Sequence, residues 1–180
     1  MTESERAHLA LKMKGGTAMA FEIGQHVFHS HCGVCLVKDI APLSGGDASF
    51  LYYVLLPLYG DDKDNIVRVP VSNCASLFEP LSKEDAERIV ASWPDIRKDL
   101  YIKDSKARKN AYDASLREGK IETLAPLLEG AFQRKARDGH LNSMDAMFVS
   151  RAVPLIYGEL AYSLGIPYEE VPGYIRDSAA

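Results

Sequence analysis

The spacing of apolar residues in this chain changes near Pro80. Before that point, short segments alternate apolar and polar residues or are rich in β-branched and aromatic residues, which is typical of strands. After it, apolar residues recur every three or four positions, which is typical of amphipathic helices. This change predicts an α+β chain whose strands come first and whose helices follow, with a boundary near residue 80.

Five short strands are expected before that boundary. They lie in the segments FEIGQHVF, VCLVKDI, FLYYVLLPL and IVRVPV, and in a last piece that includes residues 75–78. The connections between these segments are short and rich in turn-forming residues. Short strands joined in this way favour a small SH3/Tudor-like β-barrel.

Five helical segments are expected after the boundary. They begin near Ser82, at Asp104 or Ser105, at Ile121, at Asn142 or Ser143, and after Pro167. Pro94 is expected to end the first helix, and Gly119 and Gly139 the second and third. Pro126 must then lie in the first turns of the third helix, and Pro154 is expected to bend the fourth.

The stretch QHVFHSHCGVC, residues 25–35, gathers five potential metal ligands: His26, His29, His31, Cys32 and Cys35. A structural zinc site normally takes ligand pairs from separate segments, whereas these five lie in one segment and Cys74 is isolated. In an extended strand, His26 and His29 would point to opposite faces. We therefore expect a strand, a turn and a second strand, and keep a zinc-binding module as an alternative.

No motif in the sequence indicates an enzyme. A phosphate-binding glycine loop, a nucleophile elbow and a paired-histidine metal helix are all missing from the 180 residues. We predict a protein without catalytic residues, cofactor or metal. Three cysteines fit reduced thiols in a cytoplasm, and the lack of an eighteen-residue apolar run argues against a membrane span.

Residues 1–18 differ from the rest of the chain because they show no strand pattern. Lys14, Gly15 and Gly16 can be encoded by a ribosome-binding sequence shortly before Met19. Our hypothesis is that synthesis starts at Met19, and that residues 1–18 are a disordered leader or a mis-assigned N-terminus. Mass spectrometry of the native N-terminus tests this, since an intact residue 2 would refute it.

Several segments, taken in order, resemble one protein family. They are FEIGQHVFHSHCGVCLVKDI, FLYYVLLPL, IVRVPVSN, SKEDAERI and YGELAYSLG. In this order and spacing they are similar to the CarD/CdnL family of bacterial transcription regulators, which share their barrel with the transcription-repair coupling factor. The resemblance runs from about Phe21 to Ile175, and implies that the histidine- and cysteine-rich stretch is a loop and not a metal site.

The resemblance implies a role for each half of the chain. Residues 19–79 would form a barrel that binds the RNA polymerase β subunit by strand-edge pairing, with Arg68 contributing just before Val69 and Pro70. Residues 80–180 would contact promoter DNA near the upstream edge of the melted bubble. Edge pairing is physically reasonable, because an exposed strand offers unpaired N–H and C=O groups.

The resemblance also assigns DNA contacts to the segment before and within the second helix. These residues are Tyr101, Lys103, Ser105, Lys106, Arg108 and Lys109. Between positions 101 and 120, six basic residues oppose three acidic ones, a local charge of +3 on a chain of net charge −4. Such a segment can neutralise a few phosphates and give a salt-sensitive contact.

One departure from the family concerns the aromatic wedge that opens the minor groove. Ser105 stands where the family usually has tryptophan, so Tyr101 is the nearest aromatic residue that can take this role. The single tryptophan, Trp93, is expected to pack in the core or at a hinge. A second basic run, Arg134, Lys135 and Arg137, is either a further DNA-binding face or a solvated helix end that complements the helix dipole.

These observations predict a monomeric, cytoplasmic transcription regulator that is associated with the nucleoid through RNA polymerase. It would stabilise or retune the open promoter complex by DNA contacts that do not depend on sequence. The alternative is an interaction module that binds polymerase or another protein but has no DNA activity.

Overall fold

The computed structural model describes residues 20–61, 63, 65–97 and 102–178. The predictions for the leader, for the start at Met19 and for Tyr101 concern positions outside these described residues. The expected order of strands followed by helices is confirmed.

Five antiparallel strands form one sheet. They are β1 (His26–His29), β2 (Gly33–Pro42), β3 (Leu51–Pro57), β4 (Val67–Pro70) and β5 (Leu77–Phe78). Their order across the sheet is β4-β3-β2-β1-β5. The first strand is shorter than the sequence suggests, because Glu22 to Gln25 form a turn in which the Gln25 N–H bonds to the Glu22 carbonyl at 3.1 Å.

The sheet is open along its two outer strands. Within the described residues, β4 pairs only with β3 and β5 pairs only with β1. The register between β2 and β3 shifts between Val37 and Asp39, so a bulge bends the long strand β2 there. The five expected strands are thus present, but no ladder joins β4 to β5 to close a barrel.

Six α-helices follow the sheet in the described part of the chain. They are α1 (Lys83–Ala91), α2 (Trp93–Ile96), α3 (Ser105–Glu118), α4 (Ile121–Asp138), α5 (Ser143–Leu164) and α6 (Val171–Ser178), with a 3₁₀ turn at Tyr168–Glu170. The side chains of Ser82, Asp104 and Asn142 cap the N-termini of α1, α3 and α5, as the sequence predicts. None of these helices is long and apolar enough to cross a lipid bilayer.

Proline 94 does not end the first helix as expected. Helix α1 already ends at Ala91, and Pro94 lies in the first turn of α2. A proline is well accommodated there, because the first N–H groups of a helix have no intrahelical partner. The expected helix ends at Gly119 and Gly139 are confirmed, and both glycines adopt a left-handed backbone conformation.

The apolar core consists of two clusters that do not divide at residue 80. One face of the sheet encloses a cluster that includes Val27, Tyr53 and Leu55. The larger cluster lies among the helices, yet it includes Phe28 from β1 and Val34 from β2. The helices therefore pack directly on the other face of these two strands.

Glycines allow the two halves to approach closely. A Cβ atom added at Gly119 would lie 2.5 Å from the carbonyl oxygen of Ser30, and one added at Gly158 would lie 2.9 Å from the ring of Tyr59. Neither position leaves room for a side chain without displacing its neighbour. The sheet and the helices thus share a tight seam around the β1–β2 turn and the segment after β3.

Candidate functional site

Strand β4 presents the residues that the sequence predicts for partner binding. Val69 is buried against the enclosed face of the sheet, whereas Arg68 and Pro70 are exposed. This alternation follows from the two-residue period of a strand. No ion pair to Arg68 occurs within the described residues, so its guanidinium is available to a partner.

The outer edge of β4 has no strand partner in the part of the chain that the structure describes. The Val71 N–H donates to the Leu51 carbonyl at 2.9 Å, so Leu51 and Val71 form a hydrogen-bonded pair that extends the β3–β4 ladder by one residue. Because hydrogen-bonded pairs alternate in antiparallel ladders, Arg68 lies opposite Val54 in a non-hydrogen-bonded pair. The N–H and C=O groups of Arg68 therefore point to the open edge.

Two exposed apolar side chains flank the β3–β4 ladder at its opposite ends. Ile66, just before β4, is 47% exposed, and Phe50, just before β3, is 62% exposed. Neither residue is among the contacts that the sequence predicts. In the sequence, each is a large apolar residue at the end of a polar, turn-rich segment, and this pattern could have marked it as an exposed apolar contact.

Helix α3 carries the predicted DNA contacts, and only some of them face solvent. Lys103, Ser105, Lys106 and Lys109 are exposed at its N-terminal end. Lys109 pairs with Asp113 at 2.6 Å, whereas Lys106 has no ion pair among the described residues. The exposed lysines can contact phosphates, with Lys106 the less constrained of the two helical ones.

Arg108 is not on this exposed face, and its assignment as a DNA contact does not fit the structure. Its side chain is 9% exposed, and its Nε lies 3.2 Å from Asp145 Oδ1. Its Nη1 also donates to the Ile102 carbonyl at 3.0 Å. Arg108 is thus held inside the helical half and is not available to phosphate.

The buried carboxylate of Asp145 binds a second arginine from the other predicted basic run. Arg134 Nε donates to Asp145 Oδ2 at 2.7 Å, and the Tyr112 hydroxyl donates to Oδ1 at 2.8 Å. Burial alone would raise the pKa of Asp145, but the hydrogen bonds from Arg134 and Tyr112 and the nearby guanidinium groups lower it. Arg134 is therefore part of a buried network and not of a solvated helix end.

The other two members of that second run are exposed. Arg137 pairs with the adjacent Asp138 at 2.7 Å, which leaves Lys135 as the less constrained cation. Both lie in the last turn of α4, where positive charge complements the helix dipole. For Lys135 and Arg137, the structure is therefore compatible with a solvated helix end that complements the helix dipole.

Trp93 is buried, as the sequence predicts, at the start of α2. It is 1% exposed, and its indole N–H donates to Glu129 Oε1 at 2.8 Å. Such a tryptophan is part of the core and cannot act as a wedge in DNA. Ser105, which stands at the family's wedge position, is exposed but has no aromatic ring.

The histidine- and cysteine-rich stretch forms the tight turn between β1 and β2. The Nδ1 atom of the buried His29 accepts the N–H groups of His31 at 3.3 Å and Cys32 at 3.2 Å. Burial, together with the nearby His31, lowers the pKa of His29 to about 4. The neutral ring therefore serves as a cap for the turn.

Cys35 belongs to the apolar interior of the sheet. It is fully buried, and burial together with the nearby Cys32 raises the pKa of its thiol to about 12. Across the described ranges, no group of three or more His, Cys, Asp or Glu side chains is placed to hold a metal ion. The geometry offers no support for the zinc-binding alternative.

Residues 21–82 match the family described as the CarD-like/TRCF RID domain. This segment is similar to the CarD-like RID domain. The match covers all five strands and ends at Ser82, the N-cap of α1. No curated protein matches the chain.

The RID match agrees with the resemblance that the sequence motifs suggest for the first half of the chain. It indicates a transcription-related role that involves binding of RNA polymerase. The exposed edge of β4 lies inside the matched segment, whereas α3 lies outside it.

Proposed function

We propose that this chain is a bacterial transcription regulator that binds the RNA polymerase β subunit through the open edge of β4. The observation that carries the proposal is an unpaired strand edge with an outward Arg68 inside the RID domain. A strand of the partner would pair with the Arg68 backbone, and its acidic side chains would meet the guanidinium. In this role the chain would be a monomeric cytoplasmic protein without enzymatic activity. It would be associated with the nucleoid through polymerase.

The helical half would then lie beside promoter DNA. Lys103, Lys106 and Lys109 are exposed at the start of α3 and would contact backbone phosphates near the upstream edge of the bubble. Such contacts do not depend on base sequence. They would stabilise or retune the open complex once polymerase binding holds the domain in place.

The docking mode is tested by Arg68→Glu. We expect this change to weaken binding to the isolated β subunit at least ten-fold, because it replaces an attractive charge at the edge with a repulsive one. Lys38→Glu is the matched control, since Lys38 is an exposed basic residue on β2, which is not an edge strand. Equal affinities of the two variants, measured by biolayer interferometry, would refute docking at β4.

One observation favours the second candidate, an interaction module without DNA activity. Arg108, a central member of the predicted DNA-binding set, is buried in an ion pair with Asp145. The lifetime of open promoter complexes separates the two candidates. A regulator should change that lifetime, and Lys106→Ala with Lys109→Ala should abolish the change, whereas an interaction module that binds polymerase leaves the lifetime unaltered.

A further inference from the structure

A cavity of about 460 Å³ lies between the sheet and the helices at the start of α4. Its apolar wall includes Phe28 from β1, Phe78 from β5 and Ile121 from α4. Phe28 and Ile121 are buried, whereas Phe78 is 41% exposed, so the cavity is open to solvent on the side of Phe78. Cavities of this size and lining are typical sites for small ligands.

The charged residues around this cavity are mainly acidic. They are Glu79 after β5, Glu118 at the end of α3, Lys120 just before α4, Glu122 in α4 and Glu159 in α5. The Nζ of Lys120 lies 3.4 Å from Glu118 Oε1, so the single lysine is already paired. Glu79, Glu122 and Glu159 have no cation beside them among the described residues.

Glu159 is the buried member of this group. It is 5% exposed, and one of its oxygens accepts the Leu81 N–H at 3.2 Å. No other donor within the described residues bonds to this carboxylate. Burial raises the pKa of Glu159 to about 7, and the nearby Glu122 adds to this effect while the Leu81 N–H opposes it.

A carboxylate that accepts one protein hydrogen bond has the capacity to accept further donors. A cationic group that enters from the open side would supply the missing donors and oppose the negative charge of the rim. An apolar body attached to that group would cover the rings of Phe28 and Phe78. An anion would instead meet three unpaired carboxylates.

We propose that this cavity binds a small organic cation, in which a primary ammonium or amidinium group contacts Glu159 and an apolar body lies against Phe28 and Phe78. The proposal uses neither the open edge of β4 nor the exposed lysines at the start of α3. A negative result for ligand binding would therefore not count against the proposed binding of polymerase or DNA.

Isothermal titration calorimetry of the whole chain at about pH 8 provides the test. Phenethylamine is the probe, and 2-phenylethanol and 3-phenylpropionate are neutral and anionic controls with a similar body. We expect the amine to bind about ten-fold or more tightly than the alcohol, because a charged donor on a buried carboxylate adds to the apolar contact. Equal binding of amine and alcohol, or no binding of the amine, would overturn the proposal.

Glu159→Gln removes the negative charge and keeps an acceptor for the Leu81 N–H. This variant should lose the preference for amine over alcohol, whereas Glu122→Gln on the exposed rim should retain most of it. If the preference survives in Glu159→Gln, the buried carboxylate is not the cation's partner and the assignment fails.

The unmodified protein gives a test that does not depend on a variant that folds. Ionised Glu159 is required, so the affinity for phenethylamine should fall about ten-fold between pH 8 and pH 6. An affinity that is the same at both pH values would contradict the role of Glu159.

Discussion

The edge of β4 and the start of α3 both carry basic residues that the sequence predicts as contacts, but they present them differently. On β4, the two-residue period places Arg68 outside and Val69 inside. On α3, Arg108 falls on the same face as Tyr112, Ser115 and Leu116, and all four are buried. A basic residue is thus a candidate contact only if the repeat of its strand or helix places its side chain on the solvent-exposed face.

The difference also concerns what stabilises each half. The sheet keeps its charges outside and caps its β1–β2 turn with a neutral histidine. The helices instead bury two arginines around one aspartate. This polar network joins α3, α4 and α5, and the Asp145 carboxylate supplies the counter-charge that makes burial of the two guanidinium groups tolerable.

The largest expected effect comes from removal of the shared carboxylate. Asp145→Asn leaves the guanidinium groups of Arg108 and Arg134 buried without a counter-charge. We expect the free energy of unfolding to fall by about 3 to 5 kcal/mol, measured by urea denaturation. Asp113→Asn on the exposed face of α3, the helix that carries Arg108, is the control and should have a much smaller effect, since its ion pair with Lys109 is solvated.

If Asp145→Asn unfolds at the same urea concentration as the unmodified chain, the network does not stabilise the helical half. Arg108 would then be free to leave Asp145. The contrast between the outward Arg68 and the inward Arg108 would no longer hold.

The next effect concerns the seam between the two halves. Gly119→Ala places a Cβ 2.5 Å from the Ser30 carbonyl oxygen at a residue whose φ is 71°. Because a backbone atom cannot swing aside, we expect a loss of about 2 to 4 kcal/mol in thermal or urea unfolding. Both the sheet and the helices should lose stability together if they form one cooperative unit.

Gly139 provides the matched control for this change. It also ends a helix with positive φ, but no atom lies within 4 Å of an added Cβ. Gly139→Ala should therefore cost only the backbone strain, about 1 kcal/mol. Equal losses for the two variants would mean that the close contact with Ser30 is unimportant.

A third prediction uses pH to separate the halves. His29 in the sheet has a lowered pKa of about 4, so its contribution to stability is lost as pH falls below its ordinary value of 6.5. Glu159 in the helices has a raised pKa of about 7, so its contribution is present at low pH and is lost as pH rises through 7. Between pH 7 and pH 5 each is worth about 2 kcal/mol, with opposite sign.

The two single variants should therefore tilt the stability profile in opposite directions. His29→Asn keeps an acceptor for the turn and should become more stable towards pH 5 relative to the unmodified chain, whereas Glu159→Gln should become less stable. Chemical denaturation at several pH values measures both. Parallel profiles for the two variants would show that the opposed titrations are absent.

The order of elements, most helix ends and the outward position of Arg68 could be predicted from the sequence, because period, caps and glycine stops are local signals. The burial of Arg108 and Arg134 could not, because it depends on Asp145, which is distant in sequence from Arg108. A hint was present, since Arg108 lies four and eight residues before Tyr112 and Leu116 on one helical face. The expected separation at residue 80 likewise missed that Phe28 and Val34 pack among the helices.

The smallest effect tests whether the exposed side of α3 binds DNA at all. If Lys106 and Lys109 each contact a phosphate, the variant Lys106→Ala with Lys109→Ala should reduce the slope of log affinity against log salt by up to about 2. Lys106→Ala alone should account for most of this change, because Lys109 must first leave Asp113. Fluorescence anisotropy with a duplex oligonucleotide measures the slope, and Lys83→Ala, on the exposed face of α1, is the control. A slope that is unchanged in the double variant would refute DNA contact by α3. Of the two regions, the open edge of β4 would then be the only one that presents a basic residue to a partner.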